Sequence, residues 1–109
     1  MERYTNQAFI QKAKGDVLIA GLGLGMIILA IQGKAEVNSI TVIEKDRQLG
    51  DLVLNQLGKY LSSTVEVIYE DIFQYKTEKK FNIIYFDIWN SAGENYDQMV
   101  TLKKRFKKN

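Results

Sequence analysis

Three glycines at alternate positions are the first residues in the sequence whose spacing points to chemistry. Gly21, Gly23 and Gly25 follow the apolar run 17–20 and precede a second apolar run at 26–31. Glycines let the backbone turn sharply and approach a ligand, and a helix that begins behind them offers free N–H groups to negative charge. The pattern predicts a strand, a glycine turn and a helix, which together form the nucleotide-binding start of a βαβ unit.

Three carboxylates stand at or just after the ends of the later apolar runs. They are Glu44, Asp71 and Asp87. Because parallel strands end at the same edge of a sheet, we expect these side chains and the glycine turn to converge on one crevice.

Two of these carboxylates fit the recognition of an adenosine. Glu44 follows Gly21 at about the twenty-residue spacing at which a carboxylate accepts hydrogen bonds from a ribose diol. The alternative is a charge partner for the N-terminus of the next helix. Asp71 could accept a hydrogen bond from an adenine amino group, with Ile72 packing on the ring. It could equally cap the turn that follows, and the two roles are compatible.

Asp87 is the best candidate for a catalytic group. The sequence has no histidine, so acid–base chemistry falls to carboxylates, tyrosines or lysines. Asp87 could position or deprotonate an acceptor, or it could be a structural carboxylate that binds the N–H groups of the glycine turn. Trp89, Asn90 and Tyr96 could line an acceptor pocket, although Trp89 is equally plausible as a packing residue.

Hydrophobic periodicity predicts the elements that position these residues. The helices are expected at 5–14, 24–32, 46–57 and 95–107, with a short helical turn at 72–75. The strands are expected at 17–20, 39–43, 65–69 and 81–86. This alternation predicts one α/β domain over 1–109, a Rossmann-like parallel sheet of strand order 3-2-1-4 with helices on both faces. Residues 1–15 carry the N-terminal helix, which either covers the sheet or forms a flap near the ligand.

Composition and charge narrow the class of protein. The chain has 109 residues, 46% hydrophobic and 26% charged, and it has no cysteine, which excludes disulfides, thiol catalysis and zinc–thiolate sites. We see no candidate metal site.

Five of the fifteen lysines and arginines lie at 103–108, so the body of the chain is acidic and the C-terminal helix, 95–109, is basic. A solvated helix end explains this tail better than a nucleic-acid contact. The longest apolar stretch, 17–31, is shorter than the roughly 18 residues of a membrane span, so we expect a cytoplasmic protein.

Four motifs carry a resemblance to a known family. They are Val-Leu-Ile-Ala-Gly-Leu-Gly-Leu-Gly at 17–25, Thr-Val-Ile-Glu-Lys-Asp at 41–46, Glu-Asp-Ile-Phe at 70–73 and Ile-Ile-Tyr-Phe-Asp-Ile-Trp at 83–89. Together they resemble the class I S-adenosylmethionine-dependent methyltransferases, in particular the spermidine synthase-like members. The resemblance covers residues 15 to about 90.

The resemblance implies a cofactor and a site. The cofactor would be S-adenosylmethionine or its product S-adenosylhomocysteine. The glycine turn would run alongside the methionine part and the ribose of the cofactor, and Glu44 would bind the ribose hydroxyls. Asp71 and Ile72 would bind adenine. Asp87 would lie beside the sulfonium. The full set of expected cofactor-binding residues is Gly21, Leu22, Gly23, Gly25, Glu44, Lys45, Asp71, Ile72 and Asp87.

Departures from the family define the remaining expectations. Leu24 stands where spermidine synthases carry an aspartate, so aminopropyl transfer is not expected. The family's sheet normally has seven strands, and this sequence supplies four. The fourth strand is apolar on both faces and would lie at the edge, and the helix at 24–32 is apolar nearly all round, which together favour a homodimer. The alternative is a monomer in which the N-terminal and C-terminal helices cover both surfaces. For the function, the sequence leaves two alternatives. One is a methyltransferase of unidentified acceptor, and the other is a non-catalytic module that binds the cofactor and acts through a partner or as a dimer. A dinucleotide site is disfavoured because Met26 replaces the last glycine of that fingerprint.

Overall fold

The computed structural model describes residues 6–22, 25–86 and 104–108. In chain order, the elements are helix α1 (Asn6–Lys12), strand β1 (Gly15–Ala20), helix α2 (Gly25–Gln32), strand β2 (Val37–Glu44), helix α3 (Arg47–Leu57), a 3-10 turn (Gly58–Tyr60), strand β3 (Val65–Tyr69) and strand β4 (Ile83–Phe86).

The four strands form one parallel sheet of order β3-β2-β1-β4. The predicted α/β class and strand order are therefore confirmed. β1 pairs with β2 on one side, where Ile19 faces Val42, and with β4 on the other, where Ile19 faces Tyr85. The chain thus reverses its direction of travel across the sheet between β1 and β4. The carboxyl ends of the strands at such a reversal are the usual ligand position of α/β proteins.

Helices α1, α2 and α3 pack on one face of the sheet. Phe9 of α1 is fully buried, and its ring lies 4.6 Å from the ring of Tyr85 on β4. Ile28 and Ile31 of α2 are also buried in this core, together with Val17 of β1. The N-terminal helix therefore serves as a cover for the sheet and for α2.

The other face is covered without a long described helix. Phe106 and Phe81 are fully buried there against Leu18 and Ile84 of the sheet. Residues 104–106 are helical, and a parallel bridge then joins Phe81 to Lys107. The C-terminal segment thus closes the second core and reaches the outer side of the sheet next to β4.

Several predicted boundaries change. The short helical turn expected at 72–75 appears as a single hydrogen-bonded turn at 72–74, in which the carbonyl of Asp71 accepts from the N–H groups of Gln74 and Tyr75 (both 2.9 Å). The fourth strand begins at Ile83, since Phe81 pairs only through an isolated bridge. Most of the predicted final helix, 95–107, lies outside the described residues, and Lys107 belongs to the bridge instead.

Within the described ranges, no helix is long and apolar enough to cross a membrane.

Candidate functional site

The glycine turn begins immediately after β1 in a conformation that favours glycine. Gly21 has φ of 109°, a region that L side chains rarely adopt. Its N–H donates to the carbonyl of Ile43 (2.8 Å), which fixes the start of the turn to β2. Leu22 is buried behind it. Gly23 and Leu24 lie outside the described residues.

Glu44, at the end of β2, is the carboxylate that the structure brings to this turn. Its side chain is buried, with 6% of its surface exposed. Oε1 accepts from the N–H of Leu22 (2.6 Å), and Oε2 accepts from the N–H of Asp46 (2.8 Å). Hydrogen bonds to an ionised carboxylate are among the stronger ones in proteins. Glu44 therefore ties the glycine turn to the start of α3.

These contacts bear on the two roles expected for Glu44. The bond to Asp46 N–H is the interaction expected of a partner for the N-terminus of α3, and it is observed. The ribose role stays a prediction. It is compatible with the contacts, because a carboxylate offers about four acceptor positions and the two hydrogen bonds use two of them.

The start of α3 follows its sequence signals. Asp46 is the N-cap, and its Oδ1 accepts from the N–H of Leu49 (3.1 Å), as its position predicts. The carbonyl of Glu44 also accepts from the N–H of Glu70 (2.9 Å), which extends the β2–β3 pairing beyond the strands. The ends of β2 and β3 are therefore held side by side.

Lys45 and Asp71 meet across these two strand ends. The Nζ of Lys45 lies 3.7 Å from Oδ2 of Asp71, with 78% of the lysine side chain and 26% of the aspartate side chain exposed. Oδ1 of Asp71 accepts from the N–H of Phe73 (3.0 Å), so Asp71 also caps the turn that follows. The capping role is thus observed, and the adenine role remains a compatible prediction.

Ile72 and Phe73 divide between the core and the surface. Ile72 is buried in the second core, with 4% of its surface exposed. Phe73, which was not among the predicted site residues, is 39% exposed beside the capped turn. The surface next to Asp71 therefore carries an exposed aromatic ring that the resemblance alone did not single out.

Gly25 has a packing role that its place in the motif did not reveal. A Cβ at this position would lie 2.4 Å from Cδ1 of Leu57 and 3.3 Å from Cγ1 of Val53. The third glycine therefore lets α2 approach α3 closely. Its expected cofactor contact stays a prediction.

A second close approach lies between α3 and the end of β3. A Cβ on Gly50 would lie 2.3 Å from Cε1 of Tyr69. Partial burial and a hydrogen bond to Oδ1 of Asp51 (2.8 Å) raise the pKa of the Tyr69 phenol. The guanidinium of Arg47 stacks 4.1 Å from the centre of the same ring. Sequence reasoning missed this cluster, because an isolated glycine in a helical pattern does not identify the ring that it accommodates.

Five of the predicted residues fall where the structure gives no description. Asp87, Gly23, Trp89, Asn90 and Tyr96 lie outside the described residues, and their proposed roles stay predictions. The other members of the predicted cofactor set come together at the carboxyl edge or directly behind it. Those residues are Gly21, Leu22, Gly25, Glu44, Lys45, Asp71 and Ile72.

Comparison with known proteins adds the fold family. The sequence matches no protein-family model and no curated protein sequence. Among solved structures, coclaurine N-methyltransferase bound to N-methylheliamine and SAH aligns with 95% of this chain at a TM-score of 0.72 and 16% identity. Spermidine synthase from Thermotoga maritima aligns with 92% at a TM-score of 0.70 and 16% identity. Protein arginine methyltransferase 10 from Arabidopsis thaliana aligns with 91% at a TM-score of 0.69 and 18% identity.

The chain corresponds to only part of each of these proteins. It covers 32% of the coclaurine enzyme, 37% of the spermidine synthase and 29% of the arginine methyltransferase. At these identities the likeness concerns the fold. The chain therefore has the Rossmann-like fold shared by methyltransferases and spermidine synthases.

Proposed function

We propose that the chain binds S-adenosylmethionine at the carboxyl edge of the sheet and takes part in methyl transfer to an acceptor. The observation that carries the proposal is the buried Glu44 carboxylate, which is bonded to the glycine turn and to the start of α3. The structural likeness to a methyltransferase bound to SAH supports the choice of ligand.

The residues of the edge fit the parts of an adenosine. The remaining acceptor positions of Glu44 suit the two hydroxyls of a ribose, and Asp71 suits an exocyclic amino group. Gly21 has no side chain to obstruct a ligand at the turn. A carboxylate that is already held by two N–H groups is pre-oriented, so less ordering is required when a ligand binds.

When bound, the cofactor would supply a methyl group activated by its sulfonium, with the neutral thioether S-adenosylhomocysteine as the leaving group, so the protein would mainly have to place the cofactor and the acceptor in line. The glycine turn and Glu44 would orient the cofactor. Asp87 would position the acceptor or accept its proton. S-adenosylhomocysteine would bind at the same edge as the product.

Calorimetric titration tests the proposal directly. The chain is titrated with S-adenosylmethionine, S-adenosylhomocysteine and NAD, and Glu44→Gln is compared with Glu66→Gln on the exposed side of β3. We expect binding of both sulfur compounds, weakened at least tenfold by Glu44→Gln and unchanged by Glu66→Gln. One good hydrogen bond to a charged group justifies that magnitude. Binding of NAD with no response to the sulfur compounds would overturn the proposal.

A second measurement separates an enzyme from a non-catalytic module. Methyl transfer from labelled S-adenosylmethionine is followed with a panel of small-molecule, protein and nucleic-acid acceptors. Because Asp87 is expected both beside the sulfonium and at the acceptor, Asp87→Asn should reduce methyl transfer far more than it weakens cofactor binding. Cofactor binding with no transfer to any acceptor, and no effect of Asp87→Asn in a biological assay, would favour the module.

We also propose that the chain forms a homodimer. Among the described strands, β4 lies at an edge of the sheet, and exposed edge strands tend to pair with another chain. The bridge between Phe81 and Lys107 already occupies the side next to the start of β4, so the remaining edge is short. Light scattering at two protein concentrations tests this, and a monomer at both would contradict it.

A further inference from the structure

Two lysine-rich segments that are far apart in the sequence meet on one side of the molecule. Residues 76–80 precede β4, and residues 104–108 follow the described sheet. Together they form what we call the basic face, whose residues are Lys79, Lys80, Lys104, Arg105, Lys107 and Lys108. All except the partly exposed Arg105 are exposed.

Main-chain contacts hold the two segments together. The N–H of Phe81 donates to the carbonyl of Phe106 (2.7 Å), and the N–H of Lys108 donates to the carbonyl of Phe81 (2.9 Å). The ammonium of Lys80 contacts the carbonyl of Arg105. The guanidinium of Arg105 in turn donates to the carbonyl of Tyr75 (2.8 Å). The cations therefore lie on segments that are anchored by the buried rings of Phe81 and Phe106.

Among the residues that the structure describes, most of these charges have no carboxylate partner. Lys108 lies 3.4 Å from Oδ2 of Asp16, which is the one ion pair of the basic face among the described residues. Lys79 donates to the hydroxyl of Ser39 (3.1 Å), which is neutral. Glu78 is the sole acidic residue within the two segments. The basic face therefore presents a concentrated positive potential, which attracts polyanions.

An exposed aromatic ring connects the basic face with the carboxyl edge. Phe73 is 39% exposed, and its carbonyl accepts a long hydrogen bond from Nη1 of Arg105 (3.4 Å). On its other side, the N–H of Phe73 is bonded to Asp71, which belongs to the candidate cofactor site. An exposed ring beside an arginine is a surface on which an unpaired base can stack.

We propose that the basic face binds single-stranded nucleic acid, with the phosphates on the lysines and a base on Phe73. Phosphates along a strand would suit exposed cations that are spread over the basic face, and the flat ring of Phe73, next to Arg105, would suit the stacking of an unpaired base. An acidic protein or an anionic lipid surface would use the cations without requiring a stacking contact, and these partners are separated from nucleic acid by the test below. The inference does not require that the chain be an active methyltransferase. From the sequence, the C-terminal basic residues were interpreted as a solvated helix end. The proposal differs because the structure places them next to the lysines of residues 76–80.

Fluorescence anisotropy with labelled oligonucleotides tests the proposal in the absence of any cofactor. The probes are 12-mers of uridine and of thymidine, and they also show whether RNA or DNA is preferred. We expect binding of at least one probe. Its logarithmic salt slope should correspond to about −0.7 for each phosphate contacted.

Two variants probe the two parts of the surface. Lys104→Glu/Lys107→Glu should weaken binding about tenfold or more and make the salt slope shallower by about 1.4, since two phosphate contacts are removed. Phe73→Ala should weaken binding about five- to 100-fold with an unchanged salt slope, as expected for a lost stacking contact. The matched control is Lys12→Glu/Lys59→Glu, which places the same charge change on the face of the sheet covered by the helices. It should bind within twofold of the wild type.

The thermal unfolding midpoints of all variants are measured in parallel, so that loss of binding is not confused with loss of fold. Equal weakening by the two lysine pairs would reject the basic face as the site. No effect of Phe73→Ala would reject the stacking contact. Tighter association with polyglutamate, or with vesicles containing phosphatidylserine, than with the oligonucleotides would overturn the assignment of the partner.

Discussion

Each end of the sheet has one carboxylate with several hydrogen-bond partners, and the two carboxylates differ in burial and in the kind of partner. At the carboxyl end, Glu44 is buried and accepts from two main-chain N–H groups, those of Leu22 and Asp46. At the amino end, Asp16 has 26% of its side chain exposed and accepts from side chains, the hydroxyl of Ser39 (2.7 Å) and the ammonium of Lys108 (3.4 Å).

The difference shows what each carboxylate can do. A carboxylate bonded to the main chain fixes backbone positions, and removing it leaves buried N–H groups without partners. A carboxylate bonded to mobile side chains ties together surfaces that can find water instead. Glu44 therefore fixes the backbone at the carboxyl edge, where the cofactor site is proposed, whereas Asp16 fastens the C-terminal segment to the start of β1.

Glu44→Ala should have the largest effect on stability. It removes the acceptor for two N–H groups, and we expect the free energy of unfolding to fall by about 3 kcal/mol, since each unsatisfied group costs about 1–3 kcal/mol. Urea denaturation measures the loss. Glu66→Ala, at an exposed position on the neighbouring strand, is the control and should change stability by less than about 0.5 kcal/mol. A loss below about 1 kcal/mol for Glu44→Ala would show that Glu44 contributes no more to stability than Asp16, and it would contradict the contrast between them.

Two glycines with positive φ, one at the first residue of β1 and one directly after its last residue, compare the same two ends of the sheet at the level of the backbone. Gly15 has φ of 66° and Gly21 has φ of 109°. Either residue changed to alanine should lower the free energy of unfolding by about 1–3 kcal/mol because of backbone strain. At Gly15 the new Cβ would also lie 2.3 Å from Oδ1 of Asn82. Only Gly21→Ala should weaken binding of S-adenosylmethionine in calorimetry.

Gly33→Ala is the control for this pair. It follows α2, its φ is not positive, and nothing lies within 4 Å of a new Cβ. It should leave stability unchanged or raise it by up to about 1 kcal/mol. Equal loss of ligand binding by Gly15→Ala and Gly21→Ala would show that the carboxyl end has no special place in binding.

Asp16→Asn should have a smaller effect, and one that depends on pH. The hydrogen bond from Ser39 and the charges of Lys108 and Lys79 hold the pKa of the Asp16 carboxyl below its ordinary value of 3.8, against the opposing effect of its partial burial. A lowered pKa in the folded state stabilises the fold above the ordinary value, and this contribution is lost as the pH falls through the folded pKa. The variant should lack that contribution, which we expect to be at most about 1 kcal/mol for a partly exposed pair.

The measurement is the free energy of unfolding of wild type and Asp16→Asn between about pH 2.5 and pH 7, a range that brackets the ordinary pKa of 3.8. The two curves should differ at neutral pH and converge as the pH falls below 3.8. Curves that stay parallel to the lowest pH would show that the carboxylate charge of Asp16 does not contribute.

Lys45→Ala should have the smallest effect. Lys45 is paired with Asp71 at 3.7 Å, but 78% of its side chain is exposed. Exposed pairs contribute little, so we expect a change within about 0.5 kcal/mol in urea denaturation. Lys59→Ala provides a comparison at another exposed position. A loss above about 1 kcal/mol would mean that the carboxyl end also depends on side-chain ion pairs, and the contrast between the two ends would fail.

Local patterns predicted much of the architecture. The strand at 65–69 and the end of α2 at Gln32 lie where the sequence placed them, and Asp46 caps α3 as its type and position indicate. The short helical turn expected at 72–75 is a single turn at 72–74, and the sequence did not show how its two apolar residues, Ile72 and Phe73, divide between core and surface. In the structure one of them enters the core and the other remains at the surface.

The candidate site was predicted as a set of residues and not as a set of contacts. Sequence spacing placed Glu44 and Asp71 at the carboxyl edge, since strand ends are marked where an apolar run meets a carboxylate. It could not show that Glu44 binds Leu22 N–H, because that contact depends on how closely β1 and β2 pack. For the same reason it could not distinguish a cofactor contact of Gly25 from its packing against Leu57.

The sequence by itself determined the order of the elements, the parallel sheet and the edge at which its polar residues gather. The order of the elements follows from the periodicity of apolar residues, which is read within short stretches of sequence. The parallel sheet and its polar edge follow from the handedness of crossovers, which is the same in nearly all proteins of this class. Only the tertiary structure decided which N–H groups Glu44 accepts from and which lysines share a surface. Residues 76–80 and 104–108 form one basic face because two buried phenylalanines, Phe81 and Phe106, bring distant segments into a shared core.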